Sequence, residues 1–190
     1  MAVTDPLSAG HSPAVAAAER FPTNGAPTFE DAYDAYFDYL WRVMRRLGVA
    51  NAEDAVHDAF LVVHRRLPEF EGRSALKTWL YGIAVNVARD HRRLERRKGG
   101  LAALPDDLES DARSPEELSA DQEAVRLLDR VLSELDDDKR EAYVLADVEG
   151  MNVPEIALAL GTNMNTLYSR LRAARTHVEA RLQSLLEEKP

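Results

Sequence analysis

Residues 152–175 read NVPEIALALGTNMNTLYSRLRAAR. Asn152 and Glu155 are three apart and can cap each other's backbone at a helix start. Pro154 suits the first turn, where its missing N–H is no loss. Ile156, Ala157 and Leu160 give that short helix an apolar side, and Gly161 stops it. A longer helix follows Asn163, with Leu167, Leu171, Ala174, Val178 and Leu182 on one face. The combination is a helix-turn-helix, which sets the second helix across the first so that its N-terminal half can enter a major groove. The outward face carries Asn165, Thr166, Tyr168, Ser169, Arg172 and Arg175. Such groups reach base edges and phosphates, and guanidiniums fork onto guanine or phosphate oxygens. A plain helical hairpin with a solvated basic face fits this local pattern about as well, so the rest of the chain has to decide.

Helical periods recur upstream. Thr28 can cap a helix with Glu30 and Asp31 in its first turn, and Phe29, Tyr33, Tyr36, Leu40, Val43 and Leu47 on one face up to Gly48. Asn51 caps a second helix with the stripe Val56, Ala59, Phe60, Val63 and Leu67, ended by Pro68. After the aperiodic EFEGRS, Ser74 is expected to cap a long helix reaching Lys98, with Leu76, Leu80, Ile83 and Val87 as its buried face. Leu128, Val131, Leu132 and Leu135 mark a further helix, and another runs from Asp137 to Glu149 before Gly150. The expected fold is all-α: two small helical domains joined by a flexible acidic linker, the C-terminal one a helix-turn-helix. The boundaries are a disordered tail over 1–26, a first domain over 27–98, a linker over 99–121 and a second domain over 122–187.

The 190 residues contain no cysteine, which excludes disulfides, thiol catalysis and zinc ribbons within this chain. The apolar runs are too short to cross a bilayer, and the start MAVTDPLSAGHSP has no basic segment followed by an apolar one. A cytoplasmic protein is expected, with no membrane insertion, no cofactor and no added domain after Leu185. The formal net charge of -9 argues against nucleic acid until it is divided by segment. His64 to Lys98 holds ten Lys/Arg against four Asp/Glu, whereas Gly99 to Glu123 holds eight acids against one arginine.

The basic segment contains WLYGIAVNVARDHRR, Trp79–Arg93. On a helix, Trp79, Gly82, Asn86, Arg89 and Arg93 fall along one stripe. An indole can stack on an unpaired base, an Asn can pair with a base edge, and arginines can hold flanking phosphates. Gly82 lets another backbone come close. A core role for Trp79 and a solvated helix end over Arg92–Lys98 is the blander reading, and the better one for Arg96–Lys98. EDAVHDAF, Glu53–Phe60, puts Glu53, Asp54, His57 and Asp58 on the polar side of the second helix. A metal or general-base role for His57 has no partner ligand at useful spacing, and a docking surface for a basic partner suits it better. A hydrolase around His57, His64 and His91 fails on the same ground. No phosphate-cradling loop, nucleophile elbow or HExxH occurs, so no catalytic residue, metal ligand or enzyme activity is expected.

Two long pieces carry a resemblance: EDAVHDAFLVVHRRLPEFEGRSALKTWLYGIAVNVARDHRR, Glu53–Arg93, and LSELDDDKREAYVLADVEGMNVPEIALALGTNMNTLYSRLRAAR, Leu132–Arg175. In this order the chain resembles a sigma factor of bacterial RNA polymerase, of the extracytoplasmic-function group, from about Asp31 to Leu185. The resemblance implies that Asp54, His57, Asp58, Phe60 and Leu61 dock on core polymerase, at the beta-prime clamp helices, with the beta subunit as a further partner. It implies that the loop over Phe70, Arg73, Ser74, Ala75 and Leu76 takes a flipped base of the minus-10 element. Lys77, Trp79, Asn86, Arg89, Asp90, Arg92 and Arg93 would then hold the melted strand. Asn165, Thr166, Tyr168, Ser169, Arg170, Arg172 and Arg175 would read the minus-35 duplex.

Three positions depart from the family pattern: His57-Asp58 stands for Gln-Glu, Gly82 for a frequent Arg, and Tyr168 for a common Lys. An anti-sigma factor that clamps the two domains is a further implied partner. The alternative reading is a polymerase-independent helix-turn-helix regulator of duplex DNA, which needs neither the acidic face nor the Trp79/Asn86 face. A sequestering module that keeps the fold without promoter activity is a third.

Overall fold

A computed structural model describes residues 27–99 and 120–187. The expected N-terminal tail, and all of the expected linker except Gly99, Ala120 and Asp121, lie outside the described residues. Seven α-helices and no strand occur among the described residues: α1 Phe29–Arg46, α2 Ala52–Arg66, α3 Leu76–Gly99, α4 Ala120–Ser133, α5 Asp137–Tyr143, α6 Val153–Leu160 and α7 Met164–Glu187.

Local chemistry sets most helix ends. Thr28 accepts from the Asp31 N–H, and the Asp31 carboxylate accepts from the Thr28 N–H, which completes a capping box for α1. Asn51 caps α2 through the Asp54 N–H, and Leu67–Glu69 tightens into a 3₁₀ turn around Pro68. Asp136 caps α5, which continues as a π-turn over Val144–Val148. Asn152 and Glu155 form the expected capping box on α6, Gly161 ends it at φ +61°, and Asn163 accepts from the Thr166 N–H at the start of α7. Ser74 is the exception. α3 begins at Leu76, the Ala75 carbonyl accepts from the Trp79 N–H, and the Ser74 hydroxyl donates to that same carbonyl instead of capping.

α1, α2 and α3 pack together as one unit, and α4, α5 and α6 pack around α7 as the other. The units are not separate: α3 lies along α6 and α1 touches α4, so one apolar core runs through both. The α6 backbone passes beside Gly82; a Cβ there would lie 3.6 Å from the Ala159 carbonyl oxygen, an ordinary van der Waals contact. This alters the expected pattern of α3. Leu80 and Ile83 are buried, Leu76 and Val87 only partly, and Tyr81, Ala84, Val85 and Ala88 are buried as well. A helix covered by its own unit and by the other cannot show a single apolar stripe.

Candidate nucleic-acid interface

The loop before α3 brings aromatic and basic side chains to one rim. Phe70 packs on Trp79 with ring centroids 5.2 Å apart, and both are partly exposed. Gly72 turns the loop at φ +68° with open space around it, and Arg73 is exposed and paired with Glu71. Ala75 is exposed, while Ser74 and Leu76 are half-buried. Lys77 lays its ammonium over the rings of Tyr39, at 4.9 Å, and Tyr81, at 5.7 Å. Burial lowers its pKa. Asn86 is exposed and donates to the Gly82 carbonyl at 2.9 Å. Asp90 and Arg93 are exposed, 3.7 Å apart.

Arg89 and Arg92 are placed differently from the expectation of free phosphate-holding groups. Arg89 grips the Glu141 carboxylate of α5 through Nε, at 3.1 Å to each oxygen, and through Nη2 at 2.6 Å. This hydrogen bonding raises the Arg89 pKa further. Arg92 is 4% exposed; it donates to Glu141 at 2.6 Å and to the Leu47 carbonyl at 2.5 Å. Arg96, expected at a solvated helix end, reaches Asp137 at 2.8 Å. The chain therefore spends two of its predicted DNA contacts on a carboxylate of its own second unit. Nothing local announces this, because Glu141 stands about fifty residues away.

Sequence reasoning also missed a second carboxylate. Glu149 follows the π-turn and accepts from the hydroxyls of Tyr39, at 2.5 Å, and Tyr81, at 2.9 Å, and from Arg46 at 3.2 Å. Burial and the Glu149 charge push the Tyr39 phenol far above its ordinary pKa. Arg140 completes the seam. Its guanidinium donates to the carbonyls of Leu132, Ser133 and Leu135 at the end of α4, and to Leu47 across the interface.

The reading helix is more open. Asn165, Tyr168, Ser169, Arg172 and Arg175 are exposed, and Thr166 and Arg170 partly so. Tyr168 is 58% exposed and Met164, one turn before it, is 50% exposed, so an apolar element joins the polar face. Arg170 pairs with Asp138, and Arg175 with Asp147 at 3.1 Å. The α2 face also keeps its expected side: Glu53, Asp54, His57 and Asp58 are exposed, and Leu61 is 57% exposed. His57 Nδ1 lies 3.0 Å from the Glu53 carbonyl, and Asp58 lies 2.9 Å from His91 Nε2 on α3. Phe60 is a correction: at 2% exposure it sits among Phe29, Tyr33 and Phe37 and cannot touch a partner. No group of three His, Asp or Glu among the described residues is arranged to hold a metal.

The model of sigma-70 region 2 matches residues 32–98, and that of sigma-70 region 4 matches residues 126–178. RNA polymerase sigma factor NccH of Alcaligenes xylosoxydans xylosoxydans is 35% identical over 152 residues, covering 76% of this chain and 81% of that protein. The chain belongs to the sigma-70 family. This sigma factor is also 32% identical to RNA polymerase sigma-H factor of Pseudomonas aeruginosa, over 72% of this chain and 76% of that protein. ECF RNA polymerase sigma-E factor of Escherichia coli is 29% identical, over 76% and 80% of the two chains. In fold it is similar to CnrH, solved in complex with the cytosolic domain of CnrY, with a TM-score of 0.61, 23% identity, and coverage of 90% and 95% of the two chains. It is likewise similar to RpoE of Bartonella quintana, solved with the anti-sigma factor NepR, with a TM-score of 0.65, 24% identity, and coverage of 82% and 96%. The chain is thus an extracytoplasmic-function sigma factor, a factor for promoter-directed transcription initiation by RNA polymerase.

Proposed function

We propose a residue-level division of this work. The domain over 27–98 docks on the core enzyme through Asp54, His57, Asp58 and Leu61, with the beta-prime clamp helices and the beta subunit as the surfaces met. Its rim over Phe70, Arg73, Lys77, Trp79 and Asn86 traps bases of the minus-10 element that have left the stack. The domain over 122–187 lays Asn165, Thr166, Tyr168, Ser169, Arg170, Arg172 and Arg175 against the minus-35 duplex. A linker over 99–121 spans the two. The supporting observation is that a half-exposed indole, an exposed amide and a helix-turn-helix with its polar face outward occur in one chain. Stacking of unpaired bases on aromatic rings is worth about 1–3 kcal/mol per base. Duplex opening costs a few kcal/mol at each step, so the larger enzyme has to supply the rest.

On this reading the chain acts in the cytoplasm and catalyses nothing by itself. It has an anti-sigma factor as a regulatory partner, as RpoE of Bartonella quintana is seen bound to the anti-sigma factor NepR. The test is to add the purified chain to core polymerase lacking any sigma subunit and to map run-off transcripts from a genomic DNA library. Starts downstream of a shared two-part motif support the assignment. No transcripts, with tight duplex binding by the chain alone, would instead support the polymerase-independent regulator.

A further inference from the structure

α7 does not offer its arginines equally. Of the four on this helix, Arg170 pairs with Asp138, Arg175 with Asp147 at 3.1 Å and Arg181 with Glu134 at 3.0 Å. All three carboxylates belong to the same unit, so these guanidiniums brace the helix-turn-helix itself. Arg172 is exposed, and among the described residues its guanidinium has no carboxylate or hydrogen-bond partner. Met164 and Tyr168 are exposed in the two turns before it, and the Tyr168 hydroxyl is also without a partner among the described residues. Met164, Tyr168 and Arg172 follow one another at four-residue steps, so each adjoins the next on the helix surface. Two large apolar side chains thus lie on an otherwise polar reading face, one turn ahead of a free guanidinium. One of them, Tyr168, stands where the family commonly has Lys.

The chemistry of the groove says what such a row can read. Every base pair shows hydrogen-bonding groups in the major groove, but only thymine adds an apolar one, its C5 methyl. Guanine offers O6 and N7 as a fork for arginine. The N-terminal residues of a recognition helix are the ones that reach base edges. A four-residue step along a helix is about 6 Å, close to two base-pair steps of about 3.4 Å.

We propose that Met164 and Tyr168 read thymine methyl groups in the minus-35 duplex, and that Arg172 reads a guanine about two base pairs from the thymine under Tyr168. This deepens the proposed minus-35 assignment and rests on it. A lysine at 168 would bring charge to a phosphate or a guanine. The phenol ring brings apolar area instead, and so moves preference toward an A·T pair at that step.

The test uses the full chain with core polymerase, on synthetic promoters taken from the run-off map. Each thymine of the minus-35 element is replaced in turn by deoxyuridine, which removes the methyl group and keeps every hydrogen-bonding group. At one or two positions the replacement should lower open-complex formation about fourfold, the worth of one buried methyl group. Tyr168→Ala and Tyr168→Lys should abolish the penalty at one thymine, Tyr168→Phe should keep it, and Met164→Ala should shrink it at the neighbouring thymine. Arg172→Lys should reduce the preference for guanine at its position at least about fivefold. A penalty absent at every thymine, equal in the parent and Tyr168→Ala chains, or abolished by Tyr168→Phe would overturn the inference, as would an element without A·T pairs. A guanine preference kept by Arg172→Lys would overturn the arginine half. Replacing the whole minus-35 element separates the two ideas. If output is unmoved, the minus-35 assignment fails and the inference with it; if output falls while the deoxyuridine series is silent, only the inference fails.

Discussion

Gly48 gives the sharpest test of how the two units meet. It lies just after α1 at φ +77°, and a Cβ added there would stand 2.0 Å from Arg140 Nη1, on the other unit. Gly48→Ala therefore carries two costs. The left-handed backbone costs an alanine about 1–2 kcal/mol. The methyl group also forces the Arg140 guanidinium aside, and that planar group cannot move Nη1 alone. Its Nε bond to Leu132 at 2.8 Å and its Nη2 bonds to Ser133 at 2.9 Å and Leu135 at 3.0 Å shift with it. Hydrogen bonds to a charged group are worth about 1.5–3 kcal/mol each. Losing the equivalent of one brings the total to about 3–5 kcal/mol. The assay is a double-mutant cycle with Arg140→Met, read by urea unfolding of the full chain. In the Arg140→Met background the clash is gone, and Gly48→Ala should cost only the backbone part, about 1–2 kcal/mol. A coupling energy under about 0.5 kcal/mol would refute the reasoning and show that the 48–140 contact does not form in solution.

Other outcomes follow from the same geometry. Phe60→Ala should destabilise the first unit by about 3–5 kcal/mol, whereas Leu61→Ala should leave stability within about 0.5 kcal/mol but weaken binding to core polymerase in a pull-down. Trp79→Ala or Asn86→Ala should reduce open-complex formation about tenfold while leaving core binding unchanged; equal loss of both would mark the residues as structural. Asp129, on α4, has its pKa raised by burial, and its Oδ1 finds no hydrogen-bond partner. An acid whose folded pKa lies above its ordinary 3.8 costs stability once pH exceeds that value, as the native state must give up a proton it holds more tightly. Asp129→Asn should therefore raise Tm by a few degrees at pH 7, with the gain fading below about pH 4. Asp137 runs the other way. Burial opposes its charge, but Arg96, Arg92 and Arg140 hold its pKa below 3.8, so its contribution is present above that value and lost as pH falls through the depressed pKa. Asp137→Asn should accordingly lower Tm at pH 7, with the difference shrinking as pH falls through the depressed pKa.

Where a residue's role depends on neighbours three or four positions away, the sequence alone was sufficient, with Ser74 as the one cap it misplaced. Thr28, Asn51, Asn152 and Asn163 each cap a helix through the N–H three residues on, a contact that the local chain dictates. The stripe Leu167, Leu171, Ala174 and Val178 is buried as its period requires, and the faces of α2 and α7 point outward for the same reason. The order of the two matched regions, and so the family, was equally legible. Tertiary structure decided what became of α3. Its composition shows a basic end and a polar stripe, but whether Arg89 and Arg92 meet phosphate or carboxylate depends on Glu141, 52 and 49 residues further on. Tyr39, Tyr81 and Glu149 likewise form a site only after three helical segments from two units converge. Local spacing encodes which side of a helix is apolar; it cannot encode which other helix will cover that side. Here the cover is another part of the same chain, α6, whose backbone passes beside Gly82.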